Sequence, residues 1–115
     1  MRIVNATMLL AVLCQTALAA PADEQAQKVL GKRVFDQWCA SCHAAGPRMP
    51  GTASLAAKYG DSMPAALEER DNLSPALVQH FVRNGVLMMP PFRKTEITDA
   101  ELDALGTYLT RTPPR

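Results

Sequence analysis

Two histidines, three cysteines and a formal net charge of +1 leave this 115-residue chain few ways of doing chemistry. The near-neutral balance gives no field that would draw nucleic acid or an anionic membrane, so any docking field must come from local patches. No stretch reads as a convincing strand, which removes the βαβ frame that a thioredoxin-like dithiol needs. A zinc ribbon would require a second ligand pair, and outside residues 39–43 the chain offers only Cys14 and His80. There are no internal repeats and no linker, and the length sets a limit of one small domain. Long apolar runs are missing too. Residues 3–13 form the most apolar stretch, but they are too few for a comfortable membrane span and Asn5 interrupts them.

That stretch has a different reading. Met1-Arg2 is a short basic start, residues 3–13 an apolar centre, and Ala17-Leu18-Ala19 a small-x-small cleavage site. Residues 1–19 are therefore expected to be a signal peptide, removed to leave a single domain over residues 20–115. Cutting one residue later would place Pro21 first, which is unfavourable. Leu13 stands before Cys14 where a lipoprotein would carry a small residue. Loss of Cys14 leaves an even pair of cysteines, and loss of Arg2 leaves eleven basic against eleven acidic residues. The expected location is the periplasm, an oxidising compartment, with no stable membrane insertion once the leader is gone.

The remaining cysteines fall in Cys39-Ala40-Ser41-Cys42-His43, a Cys-x-x-Cys-His pattern for covalent attachment of one c-type haem. If this stretch turns helically, the two cysteines lie three residues apart on one face, able to meet neighbouring vinyl groups. His43 would then bind the iron as proximal ligand. A structural disulfide would leave His43 unexplained. The second ring nitrogen of such a histidine needs an acceptor, and a loop carbonyl near Pro47 or Pro50, with Pro50 preferred, is the expected one.

The rest of the chain reads as helices. From about Glu24 to Trp38, with Asp23 as cap, Val29, Leu30, Val34, Phe35 and Trp38 recur at helical steps. Gly31 costs that helix about 1 kcal/mol relative to alanine, which suggests close approach of another backbone. A short helix capped by Thr52 is expected to reach Tyr59 and Gly60, and another short turn follows over residues 64–70. Ser74-Pro75 opens a helix that runs to Asn84 and stops at Gly85. Thr98 and Glu101 form a capping box before a last helix with Leu102, Leu105, Tyr108 and Leu109 on one side and Gly106 as a second small residue. Residues 112–115 read as a loose tail.

Four methionines lie beyond the leader: Met49, Met63, Met88 and Met89. Met49 is too near His43 to pass around a haem, and Met63 sits among polar residues. Met88 and Met89 follow Gly85 and precede Pro90-Pro91-Phe92, where prolines hold a loop rigid and present a thioether at little ordering cost. Met89 is the expected distal iron ligand, with Met88 packing nearby; His80 is the competing ligand, mid-helix beside Phe81. A thioether favours ferrous iron and raises the potential.

The Trp38–His43 motif, the run Asn84-Gly85-Val86-Leu87-Met88-Met89-Pro90-Pro91-Phe92, and the closing residues 102–109 together resemble the small soluble class I cytochromes c. That resemblance implies an all-α, cytochrome c-like small helical domain wrapped around one covalently bound haem. It also implies terminal helices that cross, Gly31 and Phe35 against Tyr108. A c-prime bundle is disfavoured, because its haem motif falls near the C-terminus. Residues 55–59, 81–85 and 91–96 look like the cytochrome subunits of flavin-dependent phenol-oxidising enzymes, the eugenol hydroxylase type, although the loop after His43 is shorter than the family's usual spacing.

The function implied is one-electron transfer with a redox protein partner, in the narrower likeness a flavoprotein dehydrogenase or hydroxylase, and not catalysis. Arg83, Arg93 and Lys94 are read either as guides for an acidic partner or as ordinary solvated charges. A haem peroxidase and a gas sensor are the rival readings, and both need an open iron site.

Overall fold

Helix α1, Ala20–Trp38, carries the frame of the molecule. It starts a turn earlier than the periodicity predicts, so Asp23 lies within its first turn, where a carboxylate complements the exposed N–H groups, and does not cap it. The computed structural model describes residues 20–110, with side-chain burial from residue 23. The leader and the tail therefore lie outside the described residues. Gly31, Val34 and Phe35 are buried on one side of α1, and that side meets helix α5, Asp99–Leu109. A Cβ on Gly31 would stand 2.1 Å from the Ala104 carbonyl oxygen and 2.5 Å from Tyr108 Cβ. Phe35 and Tyr108 pack one turn along, ring centroids 6.1 Å apart. The two terminal helices cross where the sequence places the crossing, and glycine is required there because backbone meets backbone.

Between them lie α2, Ala40–His43, a single turn, then α3, Pro50–Tyr59, and α4, Pro75–Asn84. Residues 60–74 join α3 to α4 with two tight turns at Gly60–Ser62 and Leu67–Glu69. There is no strand among the described residues, only an isolated bridge between Val86 and Met89, so the fold is all-α. Ser74 caps α4 by accepting from the Leu77 N–H at 3.2 Å, with Pro75 in the first turn. Thr98 and Glu101 form the reciprocal capping box of α5. Gly106 faces Pro75, where an added Cβ would stand 3.1 Å from the proline Cβ, so a second small residue sets the approach of α5 to the start of α4.

Thr52 corrects the expectation that it caps α3. The helix begins earlier, at Pro50, with Met49 before it, because a proline is well placed in a first turn where its missing N–H leaves nothing unpaired. Thr52 is buried, and its hydroxyl donates to the Ala44 carbonyl at 2.8 Å. It ties α3 to the end of α2.

The core is built from Val34, Phe35, Cys39, Val78, Val82, Ile97, Leu102, Leu105 and Leu109. Ile97 is fully buried although it sits just before a helix start, and no periodicity marks it in the sequence. On α4 the apolar residues divide: Val78 and Val82 enter the core, while Leu77 and Phe81, one turn apart, remain exposed.

Candidate haem site

Ala40–His43 is a helical turn with Cys39 at its start, which meets the condition under which the two cysteines share a face. The Cys39 N–H donates to the Phe35 carbonyl at 2.8 Å, and the Cys39 carbonyl accepts from Cys42 and His43 at 3.0 and 2.9 Å. The motif thus continues the end of α1 with a slight break. Both cysteines are unlinked; Cys39 is buried in the core cluster and Cys42 is exposed. Burial, then the neighbouring Cys42, pushes the Cys39 thiol up to about 12. A thiol held neutral in this way is a poor nucleophile, which argues against a reactive dithiol. Among the described residues no cluster of three or more His, Cys, Asp or Glu could hold a metal ion, so the zinc-ribbon reading has no second ligand pair.

His43 is held by shape. A Cβ on Gly51 would stand 2.6 Å from His43 Cε1 and 2.8 Å from its Nδ1 and from the Cys42 carbonyl oxygen. The first turn of α3 therefore rests its bare backbone against the imidazole. Burial lowers the pKa of His43, which favours the neutral ring that a metal requires. Nδ1 is buried without a hydrogen-bond partner among the described residues. This corrects the expected acceptor near Pro47 or Pro50. Pro50 opens α3, so its carbonyl points along the helix and accepts from the Ser54 hydroxyl at 2.9 Å. Gly51 has its own test. Alanine is the better helix former, yet Gly51→Ala is expected to lower the haem content per polypeptide while helix content is retained, read by absorbance and circular dichroism on the same sample.

The other wall follows α4. Gly85 ends that helix at φ +68°, and a Cβ there would stand 2.5 Å from the Met89 carbonyl oxygen. Val86 and Met89 then exchange backbone hydrogen bonds at 3.1 and 2.9 Å around a two-residue turn at Leu87-Met88, with Leu87 at φ +52°. The turn separates the two methionines. Met88 stands at the tip, 98% exposed, which corrects the expectation that it packs nearby. Met89 is partly buried and packs on the core together with Phe92, whose ring lies 5.8 Å from that of Trp38. Met63 approaches Arg70, at 2.6 Å from sulfur to Nη2. His80 remains on the exposed side of α4, edge-on to Phe81.

The three cations near this loop have structural partners. Arg83 donates from Nη1 to the Phe92 carbonyl at 3.1 Å and from Nη2 to Asp99 at 2.9 Å. Lys94 shares Asp99 at 2.7 Å, and Arg93 pairs with Glu96. The Phe92 N–H also donates to the Val82 carbonyl at 2.8 Å. Arg83 is thus a latch from α4 across the loop to α5, a role hidden in a sequence where it reads as a surface charge. Arg83→Gln is expected to cut the protection of the Phe92 amide from hydrogen exchange by about tenfold, the scale of one lost charge-assisted bond. Lys94 first, and Arg83 second, hold the Asp99 carboxyl below its ordinary value. The sign follows: the latch is intact above the unfolded value and is lost as pH falls through the depressed folded one. Phe92 protection in the parent protein should therefore decline only in acid.

Residues 26–109 match the sequence model of the family described as cytochrome C oxidase, cbb3-type, subunit III. That match covers most of the chain, and the chain belongs to this family: it is a small all-α cytochrome c domain. Such a domain implies haem-based electron transport and redox partners. No curated protein and no solved structure matches the chain. No helix among the described residues is long and apolar enough to cross a membrane.

The residues present fit a haem c. Two unlinked thiols sit on a helical turn, a half-buried imidazole leans on a glycine with its buried Nδ1 unpartnered among the described residues, and Met89 is turned inward by a tight hairpin.

Proposed function

We propose that this protein is a periplasmic one-electron carrier with a single haem c, bound through thioethers to Cys39 and Cys42 and ligated by His43 and Met89. The observation that carries the reading is the Cys39–His43 turn, with Gly51 against the imidazole and both thiols unlinked. The bound group supplies the ferric/ferrous couple. The chain supplies the rest. Cys39 and Cys42 tether, and His43, kept neutral by burial, offers a ring nitrogen to the iron. Gly51 and Thr52 keep α3 against the motif. Gly85, the Val86–Met89 pairing and the Arg83 latch hold the Met89 loop in one geometry through the redox cycle. The exposed apolar stripe of Leu77 and Phe81 on α4 is surface that a porphyrin can cover. With His43 and Met89 both holding the group, the site would carry electrons and would leave no open position for peroxide or a gas.

A cytochrome c domain is typically exported, which agrees with the leader read in residues 1–19. The partner we propose is a redox protein that passes electrons to this domain, with a flavoprotein dehydrogenase or hydroxylase as the narrower form of that reading.

The test is direct. Expressed in a periplasm with a haem-attachment system, the protein should carry one haem that survives denaturing extraction. Its reduced form should bind carbon monoxide slowly at neutral pH. A colourless product would overturn the haem assignment, and rapid carbon monoxide binding would overturn the closed iron site.

A further inference from the structure

The Met89 hairpin presents a second thioether that the haem site does not use. Met88 is 98% exposed at the tip of the turn, beside a fully exposed Leu87. The backbone holds this tip away from the core. Val86 and Met89 pin its base with paired hydrogen bonds, and Gly85 brings bare backbone against the Met89 carbonyl. Leu87 takes φ +52°, a left-handed conformation that a residue with a bulky side chain rarely adopts. Met88 stands outside the core cluster and its partly buried neighbours, whereas Met89, the next residue, belongs among those neighbours.

The other methionines beyond the leader are sheltered. The Met63 sulfur is half-buried and accepts from Nη2 of the buried Arg70 at 2.6 Å and from Asn72 Nδ2 at 3.7 Å. Those donors compete for the sulfur lone pairs that an oxidant would need. Met49, just before α3, is half-buried, as is Met89. Met88 alone among these four offers its sulfur to solvent from every side.

That exposure has a chemical consequence. A thioether reacts with hydrogen peroxide when a sulfur lone pair attacks one peroxide oxygen. The O–O bond breaks, an S–O bond forms, and the second oxygen leaves as water, taking the proton of the first. Sulfur loses two electrons and the peroxide gains them. Susceptibility follows exposure, and a sulfoxide reductase reverses the step. In a core the polar product disrupts packing. At this tip it stays in water, and no core contact is lost.

We propose that Met88 is a methionine-oxidation site, converted to the sulfoxide by hydrogen peroxide ahead of Met49, Met63 and Met89, so that the apolar hairpin tip becomes polar while the inward thioether is spared. The order of oxidation follows from the hairpin and from burial and does not depend on the haem reading. The sparing of iron ligation rests on that reading, with Met89 as distal ligand.

The experiment exposes the haem-loaded ferric protein to hydrogen peroxide at neutral pH, with samples quenched over time. Tandem mass spectrometry with cleavage between residues 88 and 89 locates each added oxygen, and the red-end absorbance band reports ligation. Met88 should be oxidised about tenfold faster than the next methionine, because susceptibility follows exposure. The band should persist when Met88 is fully converted, and a methionine sulfoxide reductase with a thiol reductant should restore the parent mass. Met88→Leu, which keeps the tip apolar, should lose the fast phase and retain the slow ones. First oxidation at Met49, Met63 or Met89, or equal rates at all four, overturns the proposal. So does a band that fades in step with Met88 conversion, or a fast phase that survives in Met88→Leu. An untreated parent that lacks the band sinks the Met89 ligand reading alone, and the oxidation order is then decided by mass.

Discussion

Met89→Ala is expected to abolish the red-end absorbance band of Met-ligated ferric haem, open the ferrous protein to rapid carbon monoxide binding, and lower the reduction potential. The potential should fall by on the order of 0.1 V, within the ~0.8 V range over which axial ligands set haem potentials. The direction follows from chemistry: a soft, neutral thioether favours ferrous iron, and water or another hard ligand in its place favours ferric. Met88→Ala is the internal control. The two residues are adjacent, but the Val86–Met89 hairpin turns one thioether inward and leaves the other at the tip in solvent. Met88→Ala should keep the band, the potential and the slow carbon monoxide reaction. If the control behaves like the Met89 variant, the ligand assignment is wrong by one residue. If neither changes, the distal ligand lies elsewhere.

Gly31→Ala tests the frame. On helix propensity alone the substitution should stabilise α1 by about 1 kcal/mol. The expected result has the opposite sign, because the new methyl would stand 2.1 Å from the Ala104 carbonyl oxygen and 2.5 Å from Tyr108 Cβ. Those neighbours are backbone and a Cβ, which cannot rotate away, so the helices must separate. Separation loosens Phe35 against Tyr108 and the core layer of Val34, Leu105 and Leu109. A loss of about 3 kcal/mol is expected for overpacking of this kind, a large part of the ~5–15 kcal/mol that holds a small domain folded. The measurement is the urea midpoint of the haem-loaded protein, with an unchanged slope showing that the denatured state is not what moved. A midpoint at or above the parent's would mean that α1 and α5 do not meet at Gly31.

Much of this protein is legible in its amino-acid sequence because its strongest signals are local. Cys39-Ala40-Ser41-Cys42-His43 fits a single helical turn, and five residues carry the whole attachment pattern. Ser74-Pro75, Gly85 and the Thr98–Glu101 box each place a helix end, since caps act within three or four residues of themselves. Gly31 and Gly106 announce close crossings because a glycine inside a helix costs stability that something must offset.

What the sequence could not settle depends on which surfaces meet. Thr52 looks like a cap because threonine commonly is one; Pro50 starts the helix two residues sooner, and the hydroxyl is free to bind Ala44. The expected carbonyl for His43 Nδ1 is absent because that same helix start directs the Pro50 carbonyl along its own axis. Arg83 reads as a guide or a solvated charge and Arg70 carries no signal, since no local pattern separates a latch or a buried cation from a surface arginine. By itself the sequence determined the Cys39–His43 motif, both ends of α4, the start of α5 and the crossing glycines, and it made Met89 the expected distal ligand. Only the tertiary structure decided which methionine turns inward, what supports His43 and where Arg70 is buried. Local hydrogen bonding writes itself into neighbouring residues, whereas burial and charge pairing are properties of segments that meet only after the chain has folded.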